Sequence, residues 1–224
     1  MGASSRPTVA LLAALITAAC GGASQQTVSN APSPVGGVTD GATAPDPYGA
    51  RYPHTEADVE FMSHMISHHA QAIVMSRLAP THGASESIQT LAGRIINAQS
   101  DEINLMQQWL RERHLPVPEP SPTGVKMVMN GEEHEMLMPG MLTPEQMKQL
   151  EAARGPDFDR LFLTLMIQHH EGATAMVTKL FNTPGAGQNE AVFKFASDVN
   201  VDQSTEIARM KKMLFMLQVA RPTP

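Results

Sequence analysis

The chain has 224 residues, a formal net charge of −6 and a single cysteine. No lysine or arginine cluster offsets that charge, which excludes nucleic acid and anionic membrane surfaces as partners, and one cysteine excludes an internal disulfide framework. Its 16 methionines, about as many as its leucines, exceed what gap-filling in a core requires.

Residues 1–19 read as an export signal. Arg6 precedes an apolar run from Thr8 to Ala19 that is shorter than the roughly 20 residues a membrane span needs. Small residues before Cys20-Gly21-Gly22 resemble a bacterial lipobox, in which Cys20 becomes the lipidated N-terminus. Thr17 stands where that motif has Leu, and plain secretion is the alternative. Either reading places the mature protein outside the cytoplasm, and lipidation would make it a membrane lipoprotein facing the periplasm or the cell surface. Residues 20–53, rich in Gly, Ala, Ser, Thr and Pro, read as a flexible linker. Residues 54–220 then form one domain with enough apolar residues for a core.

The domain opens with a helix over 55–78, with Thr55 as N-cap and Glu56 and Asp58 in the first turn. Pro80 and Gly83 end it, and Ser85 caps a second helix to about Arg113, in which Ile88, Leu91, Ile95, Ile103, Met106 and Leu110 fall on one face. Four prolines between Leu115 and Pro122 stop that helix. Asn130-Gly131 predicts a β-hairpin setting Met127 opposite His134 and Val125 opposite Met136. Thr143-Pro144 opens a short helix to about Ala153. A third long helix over 157–181 and a fourth over 189–219 follow, separated by Pro184-Gly185-Ala186-Gly187.

One segment occurs twice. Phe61 to Met75 returns as Phe162 to Met176, with Phe, Met-Ile, His-His, Ala and Met in register and an aspartate ahead of each copy. A second match, Gln99-Ser100-Asp101-Glu102-Ile103 with Gln203-Ser204-Thr205-Glu206-Ile207, extends the duplication into the partner helices. Each repeat is therefore a helical hairpin, and two hairpins burying each other's apolar faces give an all-α, ferritin-like four-helix bundle with a Met-rich connecting segment.

At 3.6 residues per turn Met65, His68, Ala72 and Met75 form one stripe, and Met166, His169, Ala173 and Met176 repeat it. His64, one turn before His68, can share an ion with it; Leu165 takes its place in the second copy, so the first copy is expected to bind more tightly. His69 and His170 project about 100° away. They serve a second site or only hydrogen bonds. Met136, Met138 and Met141, with His134, are either further ligands or a greasy flap over the bundle. A lone histidine on an apolar face is more often a hydrogen-bonded core residue, but here four recur at matching positions beside matching methionines. Imidazole accepts several transition metals, whereas thioether selects Cu(I), and Ag(I) by the same softness. Copper is thus the expected cofactor and copper ions the expected partner, with Cu(II) as a further option, while Cys20 would supply the membrane anchor. No Glu-x-x-His or His-Glu-x-x-His occurs, which disfavours a ferritin-like metal-dependent oxidase and a zinc hydrolase. The rival non-enzymatic reading is a metal-free interaction module.

The paired Met-Ile-x-His-His-x-x-Ala-x-x-Met segments, the Gln-Ser-x-Glu-Ile-x-x-Met segments and Met138-Pro139-Gly140-Met141-Leu142-Thr143 resemble an exported bacterial domain-of-unknown-function family that includes CopM-type copper-binding proteins. The resemblance covers about Thr55 to Val219. It implies a ferritin-like bundle and, for the CopM type, extracytoplasmic copper binding through Met and His.

Overall fold

The computed structural model describes residues 53–129 and 132–219. The export signal, Cys20 and nearly all of the linker lie outside the described residues. The elements run α1 (Glu56–Arg77), a single 3₁₀ turn (Ala79–Thr81), α2 (Glu86–Glu112), β1 (Val125–Met129), β2 (Glu132–Met136), α3 (Pro144–Ala152), α4 (Gly155–Asn182) and α5 (Glu190–Val219).

Local chemistry sets the helix ends. Thr55 and Asp58 form a reciprocal capping box at α1, and Thr143 and Gln146 form another at α3, each satisfying two backbone donors that a helix start would leave bare. Ser85 is the N-cap residue of α2, as expected, but its hydroxyl pairs with Ser87 and does not cap. Its backbone N–H goes to Asp159 on α4, 3.1 Å away. The equivalent aspartate of the first repeat, Asp58, accepts from Gly187 N at 2.7 Å in the α4–α5 connection. The two repeated aspartates therefore tie each hairpin's leading helix to the other hairpin's loop. Both are buried, and a buried carboxylate persists only with such partners.

The fold is the expected one: α1 packs on α2, α4 on α5, and α1 crosses α4 at the centre. Between the hairpins β1 and β2 form an antiparallel ribbon with Met127 opposite His134 and Val125 opposite Met136, the register implied by a two-residue Asn130-Gly131 turn. Two buried clusters fill the bundle. One contains Met65, Met138, Met141, Ala173 and Met176; the other contains Ala72, Met75, Leu142, Met166 and Met210.

Candidate metal centre

Cluster membership gives the direction of the central crossing. Met65 shares a cluster with Met176 and Ala173, and Met75 shares the other with Met166 and Ala72, so α1 and α4 run antiparallel and the repeats meet about a local two-fold. The two stripes thus face each other along the crossing. At its middle the rings of His68 and His169 lie with centroids 3.8 Å apart and an interplanar angle of 40°. One end of the centre carries Met65 and Met176, the other Met75 and Met166. All six side chains are buried.

The histidine nitrogens carry the chemical information. His68 Nε2 donates to the Pro139 carbonyl at 3.0 Å; a carbonyl only accepts, so a neutral His68 has its lone pair on Nδ1. His170 Nε2 donates to Glu206 Oε2 at 2.7 Å. His69 Nε2 lies 2.7 Å from Glu102 Oε2, at ion-pair distance but off the line of a hydrogen bond. Glu102 and Glu206, the repeated glutamates, thus face His69 and His170. That leaves Nδ1 of His68, His69, His169 and His170, and Nε2 of His69 and His169, buried and without a hydrogen-bond partner. Each such buried polar atom costs about 1–3 kcal/mol if nothing binds it. Buried polar groups are normally paired, and four neighbouring rings sharing this condition mark a place where a ligand can be held. An orphaned nitrogen beside thioethers is the donor set of a soft metal.

A strap from the ribbon to α3 closes one end of this centre. Gln71 Nε2 donates to Leu142 O at 3.1 Å while its Oε1 accepts from Leu142 N at 2.6 Å. Gln168 Nε2 donates to Gly140 O at 3.2 Å. The position that is Gln71 in the first repeat is Gly172 in the second, where a Cβ would stand 1.9 Å from Pro139 O. The strap therefore needs glycine on α4 and glutamine on α1, and sequence reading found neither residue. Broken repeat symmetry at an otherwise matched position was the signal available.

Of the other expected ligands, Met138 and Met141 lie in the strap within the Met65/Met176 cluster. Met141 Sδ accepts from Met138 N at 3.4 Å, so part of its role is to shape the strap. His64 lies toward solvent beside Glu60, its Nδ1 3.7 Å from Glu60 Oε1. Met136 is exposed. The His134 side chain is outside the described residues.

Burial above all, and then neighbouring His69 and His170, depresses the His68 pKa to about 3. His169 is held well below its ordinary value by burial, then by His68, His170 and His69. Burial also lowers His64, with Glu60 opposing and Lys179 adding to the shift. His68 and His169 are thus neutral, with lone pairs available, at neutral pH. Unfolded, both protonate near 6.5, so below that pH the unfolded state holds more protons and folding stability falls with the pH. Urea midpoints should be flat above pH 7 and drop between pH 6.5 and about 5, approaching ~1.4 kcal/mol per pH unit for each histidine. A midpoint independent of pH over that interval would contradict the buried neutral pair.

Comparison with known proteins agrees with this architecture. A DUF305 protein from Streptomyces coelicolor, assigned as secreted, is 28% identical and superposes with a TM-score of 0.60, covering 72% of this chain and 94% of that one. A DUF305 fragment from Deinococcus radiodurans is 27% identical, with a TM-score of 0.60 and coverage of 73% and 99%. CopM in its Cu(I)-bound form is 27% identical with a TM-score of 0.52, covering 70% of this chain and 94% of that one; CopM has also been solved with Cu(II) and with Ag. Among curated proteins none matches this chain. The model of the domain of unknown function DUF305 matches residues 58–214, from the first repeated aspartate to the last turns of α5, and the chain therefore belongs to the DUF305 family.

Proposed function

We propose that this protein binds copper outside the cytoplasmic membrane, taking Cu(I) by preference and also Cu(II) or Ag(I), to sequester the ion or hand it on. The observation that carries this reading is the set of unpartnered, buried histidine nitrogens between two pairs of methionines. His68 with Met65, Met176, Met138 and Met141 would hold an ion at the strap end, and His169 with Met75 and Met166 at the other. The side chains that line the crossing are imidazoles and thioethers, a donor set that favours copper over zinc or iron. His170 fits the carboxylate-backed pattern, in which the glutamate fixes the ring and leaves the other nitrogen for a metal, and Glu102 stands at the equivalent place beside His69. Bound copper would supply soft Lewis acidity and one-electron redox capacity; the protein supplies a dry, preformed donor set.

The CopM structures with copper and silver support the same reading. The division into residues 1–19 as export signal, 20–53 as linker and 54–220 as metal-binding domain, with Cys20 lipidated, gives the site its place at the cell envelope. No helix among the described residues is long and apolar enough to cross a membrane. Purified protein should take Cu(I) from a chromophoric competitor. At free copper 100-fold above Kd it should gain about 2.7 kcal/mol, or roughly 5–10 °C in melting temperature. A melting curve unmoved by Cu(I) and Ag(I) would instead support a metal-free interaction module.

A further inference from the structure

Beside the strap lies a cleft of about 230 Å³ lined by His64, Met136, Met138, Met176, Glu60 and Lys179, among others. Its inner wall includes Pro139, whose carbonyl accepts the His68 N–H. Met138 and Met176 are 5% and 7% exposed and belong to the cluster of Met65, whereas Met136 is 41% exposed. The cleft is therefore continuous with the strap end of the centre through two shared methionines. At the rim Lys179 Nζ pairs with Glu60 Oε1 at 3.0 Å.

We propose that this cleft is a separate, solvent-facing site for a soft monovalent cation, Cu(I) or Ag(I), held by the His64 imidazole and the Met136 thioether with Met138 or Met176, and that it loads the buried centre. The destination rests on the reading of the buried centre given above; the cleft stands on its own donors. An exposed methionine on a ribbon makes little sense as core, and His64 has no counterpart in the second repeat, where Leu165 is buried. The duplicated architecture thus carries this site at one end only. A soft cation meets one open thioether and one imidazole there, then two thioethers it shares with the interior, so it need not be stripped of ligands before entering. The Glu60 carboxylate attracts the cation to the rim, and Lys179 limits the charge that Glu60 presents.

The test uses the full mature protein, silver(I) as a redox-inert probe, and methionine methyl groups labelled with carbon-13. In the parent, silver added rapidly should perturb the Met136 methyl first, before equilibrium, and then move to shift those of Met75 and Met166, which line the tighter sites. The double variant His64→Leu/Met136→Leu replaces one half-buried and one exposed residue with apolar ones of similar size, the first being the residue the second repeat carries. It should lose one weaker equivalent of silver and load the remaining sites about tenfold more slowly. The melting temperature of its apo form should match the parent's, and the affinity of the tight equivalents should be unchanged. A Met136 methyl that never moves, or a double variant that binds as much silver as fast as the parent, would overturn the proposal. A failure of the buried centre looks different: Met75 and Met166 would stay unmoved while Met136 responds.

Discussion

Replacing His169 with leucine should leave the apoprotein at least as stable as the parent while Cu(I) affinity at the centre falls by more than about 100-fold, beyond the usual cost of losing an outer partner. The two effects have opposite signs for one reason. Neither ring nitrogen of His169 makes a well-formed hydrogen bond although the side chain is fully buried; the His68 backbone offers it only a weak one, so the folded apoprotein carries two desolvated polar atoms with little in return. Leucine has a similar volume and no polar atom, and relief of one such group is worth about 1 kcal/mol or more. Stability that rises as binding falls marks a residue kept for its ligand. His68→Leu should differ: it removes the donor to Pro139 O, leaves that carbonyl unpaired, and so should lose stability as well as copper. The pair is read by urea denaturation of the apoprotein and by competition for Cu(I). If His169→Leu destabilises the apoprotein by 2 kcal/mol or so and binding survives, the ring is a packed core residue after all.

Gly172→Ala is expected to be the most damaging Gly→Ala change among the described residues. Within an ordinary helix the change stabilises by about 1 kcal/mol, because glycine wastes backbone entropy. Here the new Cβ would sit 1.9 Å from Pro139 O, 2.4 Å from Pro139 C and 2.6 Å from Gly140 Cα, all backbone. None of these atoms can swing aside, and Gly140 is itself held at φ +78° with its own would-be Cβ 2.6 Å from Gln168 O. The strap must lift off α4, at a cost of about 3 kcal/mol or more. Lifting it also takes Pro139 from His68 and Met138 from the centre, so copper affinity should fall with stability. Gly93→Ala on α2 is the control, since nothing lies within 4 Å of its added carbon, and it should stabilise by about 1 kcal/mol. Equal behaviour of the two variants would show that the strap does not press on α4.

The repeat looked like a symmetric pair weakened by one change, Leu165 for His64, and that contrast suggested a tighter first copy. The structure gives the asymmetry another source. His64 lines the outer cleft, while His68 turns inward to Pro139, although one helical turn allowed both to reach one ion. What separates the ends of the centre is the strap: Met138 and Met141 join Met65 and Met176, and no strap methionine joins Met75 and Met166. Leu142, Met147, Met210 and Met213 pack that second end.

By itself the sequence determined the helices, their ends within a residue or two, the hairpin register and the duplication, because these depend on groups within a few positions of each other. Capping oxygens, proline rings, the Asn-Gly turn and the 3.6-residue stripe act locally. The stripe also identified His68 and His169 as inward-facing. Only tertiary structure decided that α1 and α4 cross antiparallel with these two rings in contact, that Glu102 and Glu206 face His69 and His170, and which nitrogens remain bare. Those facts depend on residues far apart in the chain meeting, as when Gln168 holds Gly140, His68 finds Pro139 or His68 meets His169, and a satisfied nitrogen is indistinguishable from an orphaned one until every neighbour is in place. The roles of Gln71 and Gly172, and the partners of the repeated Asp58 and Asp159, were illegible for the same reason: they meet backbone atoms of other segments, which carry no signature in the sequence.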